Sequence, residues 1–252
     1  MHLHLPLLAP FFLATKTSRP GLMSVPSKSA GAAVKPRILC LHGSHQSASA
    51  FYNKIAGARR KLSREYELDF LDGPVEVEQQ EQPGDRAGSP DDTPVLRAWW
   101  QRDENGRHVN VKETFEYVQH KINGRRYDAI IGFSQGGTLA TALCLSGVMP
   151  GVKAVVTAGA PLVDDPFVVA AAIACTCSNS VGASEQGRGL EIPKLHIAGE
   201  RDNIVSVERT RALCERGGEG EVVIHEQGHL FPTRAAVVNR VIEFLGNALK
   251  DG

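Results

Sequence analysis

Residues 127–143 read YDAIIGFSQGGTLATAL. An apolar run, Ala129-Ile130-Ile131, ends in Gly132-Phe133-Ser134-Gln135-Gly136-Gly137 and passes into an Ala/Leu-rich segment. The run has the composition of a buried strand and the Ala/Leu segment that of a helix. A serine therefore stands between glycines where a strand hands over to a helix. Two readings compete. The glycines are either plain turn punctuation or the means of exposing a nucleophile, because G-x-S-x-G holds its serine in a strained turn that lifts Oγ clear of the sheet. Taken alone the pattern is weak, and the rest of the chain has to decide.

Outward from this stretch, short apolar runs alternate with helical patterns from Lys35 onward. That alternation predicts an α/β fold, a mainly parallel central sheet covered by helices on both faces. Strands are expected at Arg37–Leu41, Leu68–Leu71, Ala129–Ile131, Ala154–Thr157, Lys194–Ala198 and Val222–His225. Helices are expected over residues 48–62, 111–123, 138–145, 207–216 and 234–250. Val111, Phe115, Val118 and Ile122 share one helical face, as do Val238, Val241, Ile242, Leu245 and Leu249. Residues 74–95 hold six carboxylates and one arginine in an acidic Pro/Gly-rich loop, and residues 175–189 read as a loop of small polar residues.

A serine nucleophile needs a base and an acid that orients the base, in the order Ser, Asp, His on this kind of fold. Both are present past strand ends, where open α/β sheets assemble their sites. Asp202 lies in Gly-Glu-Arg-Asp-Asn after the strand at 194–198, and His229 lies in Glu-Gln-Gly-His-Leu after the strand at 222–225. Rivals are Glu200, Asp164 and Asp165 for the acid and His225, within a strand pattern, for the base. An oxyanion needs two backbone donors. The N–H of Gln135, directly after the serine, is one. The loop after the first strand, Leu41-His42-Gly43-Ser44, supplies the other, assigned to Ser44 with His45 as the near alternative.

Composition narrows the partners. Lys plus Arg and Asp plus Glu balance at 28 each, which gives no basic footprint for nucleic acid. Five scattered cysteines suit a reducing compartment and hence the cytoplasm. Cys40 and Cys144 fall in apolar runs as small core residues. Cys175 and Cys177 are too closely spaced for an ordinary zinc pair and lack a second pair. The first 34 residues hold an apolar run that is too short to span a bilayer. They lack acidic residues and resemble an organelle transit peptide; otherwise they are a leader, with Met23 the effective start. The expected organisation is a leader at 1–34 and one hydrolase domain at 35–252.

The motifs ILCLHGSHQSA, DFLDGPVEV, RAWW, ETFEYVQHKI before YDAIIGFSQGGTLA, KLHIAGERDNIV and HEQGHLFP occur in this order. Together they make the chain resemble the FSH family of serine hydrolases, which includes esterases of the ovarian-cancer-associated type. The resemblance runs from about Lys35 to Leu249. It implies an α/β-hydrolase fold and esterase or thioesterase activity on small acyl substrates, with no metal or cofactor. It carries the nucleophile onto Ser134, the acid onto Asp202 and the base onto His229. Trp99 and Trp100, beside the acidic loop, are candidates for an apolar rim around an acyl chain, or for core packing. GFSQGG also resembles the elbow of acyl-protein thioesterases and lysophospholipases. A hydrolase-fold binding protein without catalysis is the alternative from another class.

Overall fold

Runs such as Arg37–Leu41 and Ala129–Phe133 put apolar side chains at successive positions. A strand of that kind is at home only where both faces are covered. The computed structural model of the protein describes residues 21–24, 34–78, 95–178, 188–218 and 220–250. Most of the acidic loop and of the small-residue stretch expected at 175–189 lie outside the described residues.

The chain begins with β1 (Leu22–Ser24), β2 (Arg37–Leu41), α1 (Ala48–Lys54), α2 (Ala56–Glu65) and β3 (Glu67–Leu71). Four short strands follow: β4 (Val75–Val77), β5 (Leu96–Ala98), β6 (Gln101–Arg102) and β7 (His108–Val109). Then come α3 (Val111–Ile122), β8 (Ala129–Phe133), α4 (Gln135–Ser146), β9 (Ala154–Ala158) and α5 (Asp164–Ser178). The last elements are α6 (Arg188–Glu191), β10 (Lys194–Gly199), α7 (Val207–Gly217), β11 (Gly220–His225) and α8 (Ala235–Lys250).

Seven strands form one sheet in the order β1-β3-β2-β8-β9-β10-β11. Only β1 runs antiparallel to its neighbour; the other pairings are parallel. The period of two along each strand sorts the core into two layers. Ile38, Cys40, Ala129, Ile131, Leu195 and Ile197 face a cluster that includes Phe51, Leu62, Val241 and Leu245 of α1, α2 and α8. Leu39, Leu41, Ile130 and Val155 face Phe115, Val118, Leu139 and Leu143 of α3 and α4. The expected arrangement, a mainly parallel sheet with helices on both faces, is what the structure has. Among the described residues, no helix is long and apolar enough to cross a membrane.

The structure differs from the sequence expectation in four places. The helix expected at 48–62 is two helices that meet at buried Ile55, whose φ of −95° and ψ of 21° leave the helical range. Asp164–Ser178 form a helix, α5, where none was expected, so the loop expected from 175 starts later. Leu22–Ser24, inside the segment set aside as a leader, pairs with Leu71, Phe70 and Asp69 at the sheet edge. The β4–β5 and β6–β7 ribbons have strands of two or three residues, too short to show a period.

What positions the site is the reversal of strand order at β2. The next strand, β3, lies on one side of β2 and β8 on the other. The loops leaving the C-terminal ends of β2 and β8 therefore part around a crevice. The register, Leu41 opposite Gly132, brings the two loops level.

Candidate active site

Ser134 leaves β8 with φ 52° and ψ −121°, a conformation that side chains disfavour. Its N–H donates to Ala158 O at 2.8 Å, and its own carbonyl accepts from Gly137 N and Thr138 N as α4 begins. Both flanking glycines are sterically required. A Cβ on Gly132 would lie 2.3 Å from Gly136 O, and one on Gly136 would lie 2.4 Å from His42 O. The elbow is thus pressed against the loop after β2. A Cβ on Gly43 would also meet the Phe133 ring at 2.9 Å and Ser134 Cβ at 3.2 Å.

His229, in the loop after β11, directs Nε2 to Ser134 Oγ at 3.1 Å and Nδ1 to Asp202 Oδ2 at 2.7 Å. A carboxylate only accepts, so Nδ1 carries the proton, and Nε2 is left to accept the serine hydroxyl. The Asp202 side chain is 1% exposed. Its Oδ1 accepts from Ile204 N at 2.9 Å and Val205 N at 2.8 Å, which fixes the carboxylate plane. The Phe133 ring tilts against the imidazole at 4.9 Å between centroids. Gly159, at φ 54°, closes the floor: a Cβ there would lie 3.1 Å from both His229 Cε1 and Nδ1.

The rivals go elsewhere. Glu200 is exposed, and Asp165, at the start of α5, pairs with His108 at 2.7 Å. His225 is buried at the end of β11, where its Nδ1 accepts from Gln227 N and burial lowers its pKa. Ser44 is half-buried and its Oγ meets His45 Nδ1 at 2.9 Å; His45 has a left-handed φ of 56°. Gln135 opens α4, so its N–H is one of those a helix leaves without an internal partner.

Neither tryptophan forms an exposed rim. Trp99 and Trp100 are both buried, and Trp99 Nε1 donates to His42 O at 2.8 Å. His42 was not among the residues singled out from sequence. Its Nε2 accepts from Gly73 N at 2.8 Å and its Nδ1 donates to Gly43 O at 2.7 Å, an arrangement open only to the neutral ring. Burial, the main cause, lowers its pKa to about 4. The signal for such a residue was faint, since a histidine before a glycine reads as loop composition. Cys40 and Cys144 are buried, as expected, while Cys175 is exposed. Among the described residues, no group of three or more His, Cys, Asp or Glu side chains is arranged to hold a metal.

A sequence model of the family described as serine hydrolase (FSH1) matches residues 32–241. An esterase of Anopheles gambiae is 28% identical over 225 residues, covering 86% of this chain and 79% of its own. The Bos taurus esterase OVCA2 is 28% identical over 229 residues, covering 83% and 95%. In fold, the chain is similar to the acyl-protein thioesterase 2 of Zea mays, with a TM-score of 0.60, 16% identity, and 90% of this chain and 98% of that one covered. The Bacillus cereus carboxylesterase gives 0.59 at 15% identity, with 92% and 96% covered.

Proposed function

The chain belongs to the serine hydrolase (FSH1) family, and from that premise we propose that it cleaves carboxylic esters or thioesters of small acyl substrates through a Ser134–His229–Asp202 triad. One observation carries the reading: a serine at a left-handed φ of 52° with Oγ 3.1 Å from an imidazole whose other nitrogen is held 2.7 Å from a buried carboxylate.

His229 Nε2 takes the hydroxyl proton as Ser134 Oγ attacks the carbonyl carbon. The carbonyl oxygen becomes an oxyanion that accepts from the Gln135 and Ser44 amides, and loss of one such donor raises the barrier by about 3 kcal/mol. Asp202 holds the tautomer and stabilises the imidazolium. The imidazolium then protonates the departing alkoxide or thiolate and an acyl-serine remains. Water, deprotonated by the same nitrogen, attacks the acyl carbon and restores the hydroxyl. The chemistry calls for no metal or cofactor. Acyl-protein thioesterase activity is the second reading, supported by the fold likeness to the maize acyl-protein thioesterase.

A fluorophosphonate probe and an ester panel of graded acyl length test the proposal. The wild-type protein is expected to label and to turn over short and long acyl esters at different rates. Ser134→Ala is expected to lose both. Equal labelling of Ser134→Ala would refute the assignment. Turnover of S-acylated protein with none of simple acyl esters would select the second reading.

A further inference from the structure

The side chain of Gln135 makes two backbone hydrogen bonds to consecutive residues. Its Oε1 accepts from Trp99 N at 2.9 Å, and its Nε2 donates to Trp100 O at 2.9 Å. The chemistry of those partners fixes which end of the amide faces which. The same short segment also reaches the other side of the crevice, where Trp99 Nε1 donates to His42 O at 2.8 Å. The Trp99 ring stacks at a tilt on His42, 5.0 Å between centroids, and His42 in turn receives the Gly73 amide. Thr114 of α3 donates its hydroxyl to Trp99 O, which ties the segment to a helix.

Trp99–Trp100 is therefore bonded at once to the side chain of Gln135, the residue after the nucleophile, and to the carbonyl of His42, two residues before Ser44. We propose that this segment is a positioning strut, with Gln135 and Trp99 the residues that set the spacing between the two oxyanion donors. The inference rests on the esterase reading above. Neither side chain touches the reacting atoms. They act through the Gln135 N–H and through the His42–Ser44 loop, whose hydrogen bonds strengthen as charge moves onto the carbonyl oxygen. A misplaced donor is felt in the transition state rather than in ground-state binding, so the loss appears in kcat.

Three variants test the strut: Gln135→Met, which keeps length and removes both bonds; Gln135→Glu, which loses the donor; and Trp99→Phe, which keeps most of the packing and loses the indole N–H. Active sites are counted by fluorophosphonate end-point titration, so that misfolded protein is subtracted. Per active site, kcat is expected to fall by about 10- to 100-fold with KM changed less than about threefold. Affinity for an alkylboronic acid, whose tetrahedral adduct fills the oxyanion position, is expected to fall in parallel. The double variant Gln135→Met/Trp99→Phe is expected to lose less than the product of the single losses. Unchanged kcat per active site, or a loss confined to KM, would overturn the strut while leaving the hydrolase intact. A wild-type protein that neither labels nor turns over would remove the parent reading and the strut with it.

Discussion

At Gly159 the backbone runs at φ 54° directly beneath the His229–Asp202 pair, and a methyl group would lie 3.1 Å from the ring. Gly159→Ala therefore carries both left-handed strain and a displaced imidazole. Stability is expected to fall by about 1–2 kcal/mol. A kcat loss of at least tenfold should accompany it, read from chemical denaturation and steady-state kinetics on one preparation. Asp202→Asn is the complementary change, nearly isosteric but able to present N–H to Nδ1 and favour the wrong tautomer. Its kcat is expected to drop by roughly 10⁴-fold, with little change in KM. The proposed triad residues Ser134, Asp202 and His229, which the structure brings into contact, could be picked out because each follows an apolar run, in the chain order this fold uses. Gly159 was not. The need for glycine there is created by His229, 70 residues later in the chain, and no local pattern records it.

Elements were legible in proportion to their length and sidedness. The buried strands read as apolar runs, and α3 and α8 as single apolar faces. The Val/Ala/Ile-rich α5 has no such face, so no helix was expected there and its end passed for loop. DFLDGP was visible as a motif without a stated purpose, and the structure supplies one. Asp69 accepts from Tyr127 Oη at 3.0 Å, and Asp72 accepts the Ala48 amide at the start of α1. Gly73 has no room for a Cβ, which would sit 2.4 Å from Ala98 O. Buried histidines on two of these elements give the fold a pH dependence. His42 after β2 and His196 on β10 both have pKa values lowered to about 4, chiefly by burial, against an ordinary 6.5. The unfolded chain binds these protons first. Stability is therefore full above about pH 6.5, declines as pH falls toward 4 and then levels off, by about 3 kcal/mol per histidine. Urea midpoints between pH 7.5 and 4 should follow this curve, and His196→Gln should flatten part of it.

For the whole molecule, the question is how much of the chain the hydrolase needs. The family match begins at residue 32, but Leu22–Ser24 extends the sheet antiparallel to β3, with Leu22 against the α3–α4 core layer. That strand was illegible because three residues after a proline-broken apolar run carry no period. A 35–252 protein is expected to keep full kcat, since β1 lies at the far edge of the sheet from β10 and β11. Its loss of edge pairing, about 1 kcal/mol, should lower Tm by roughly 2–4 °C. Loss of turnover in that truncation would mean that the first 34 residues contribute to the site. The order of strands also sets a timetable. On the proposed mechanism the nucleophile follows β8, while its acid and base lie in the loops after β10 and β11, which are synthesised later. A nascent chain thus displays its serine long before it owns the means to activate it. On that mechanism the chemistry waits for the loop that carries His229, and a polypeptide cut short before it is born inert.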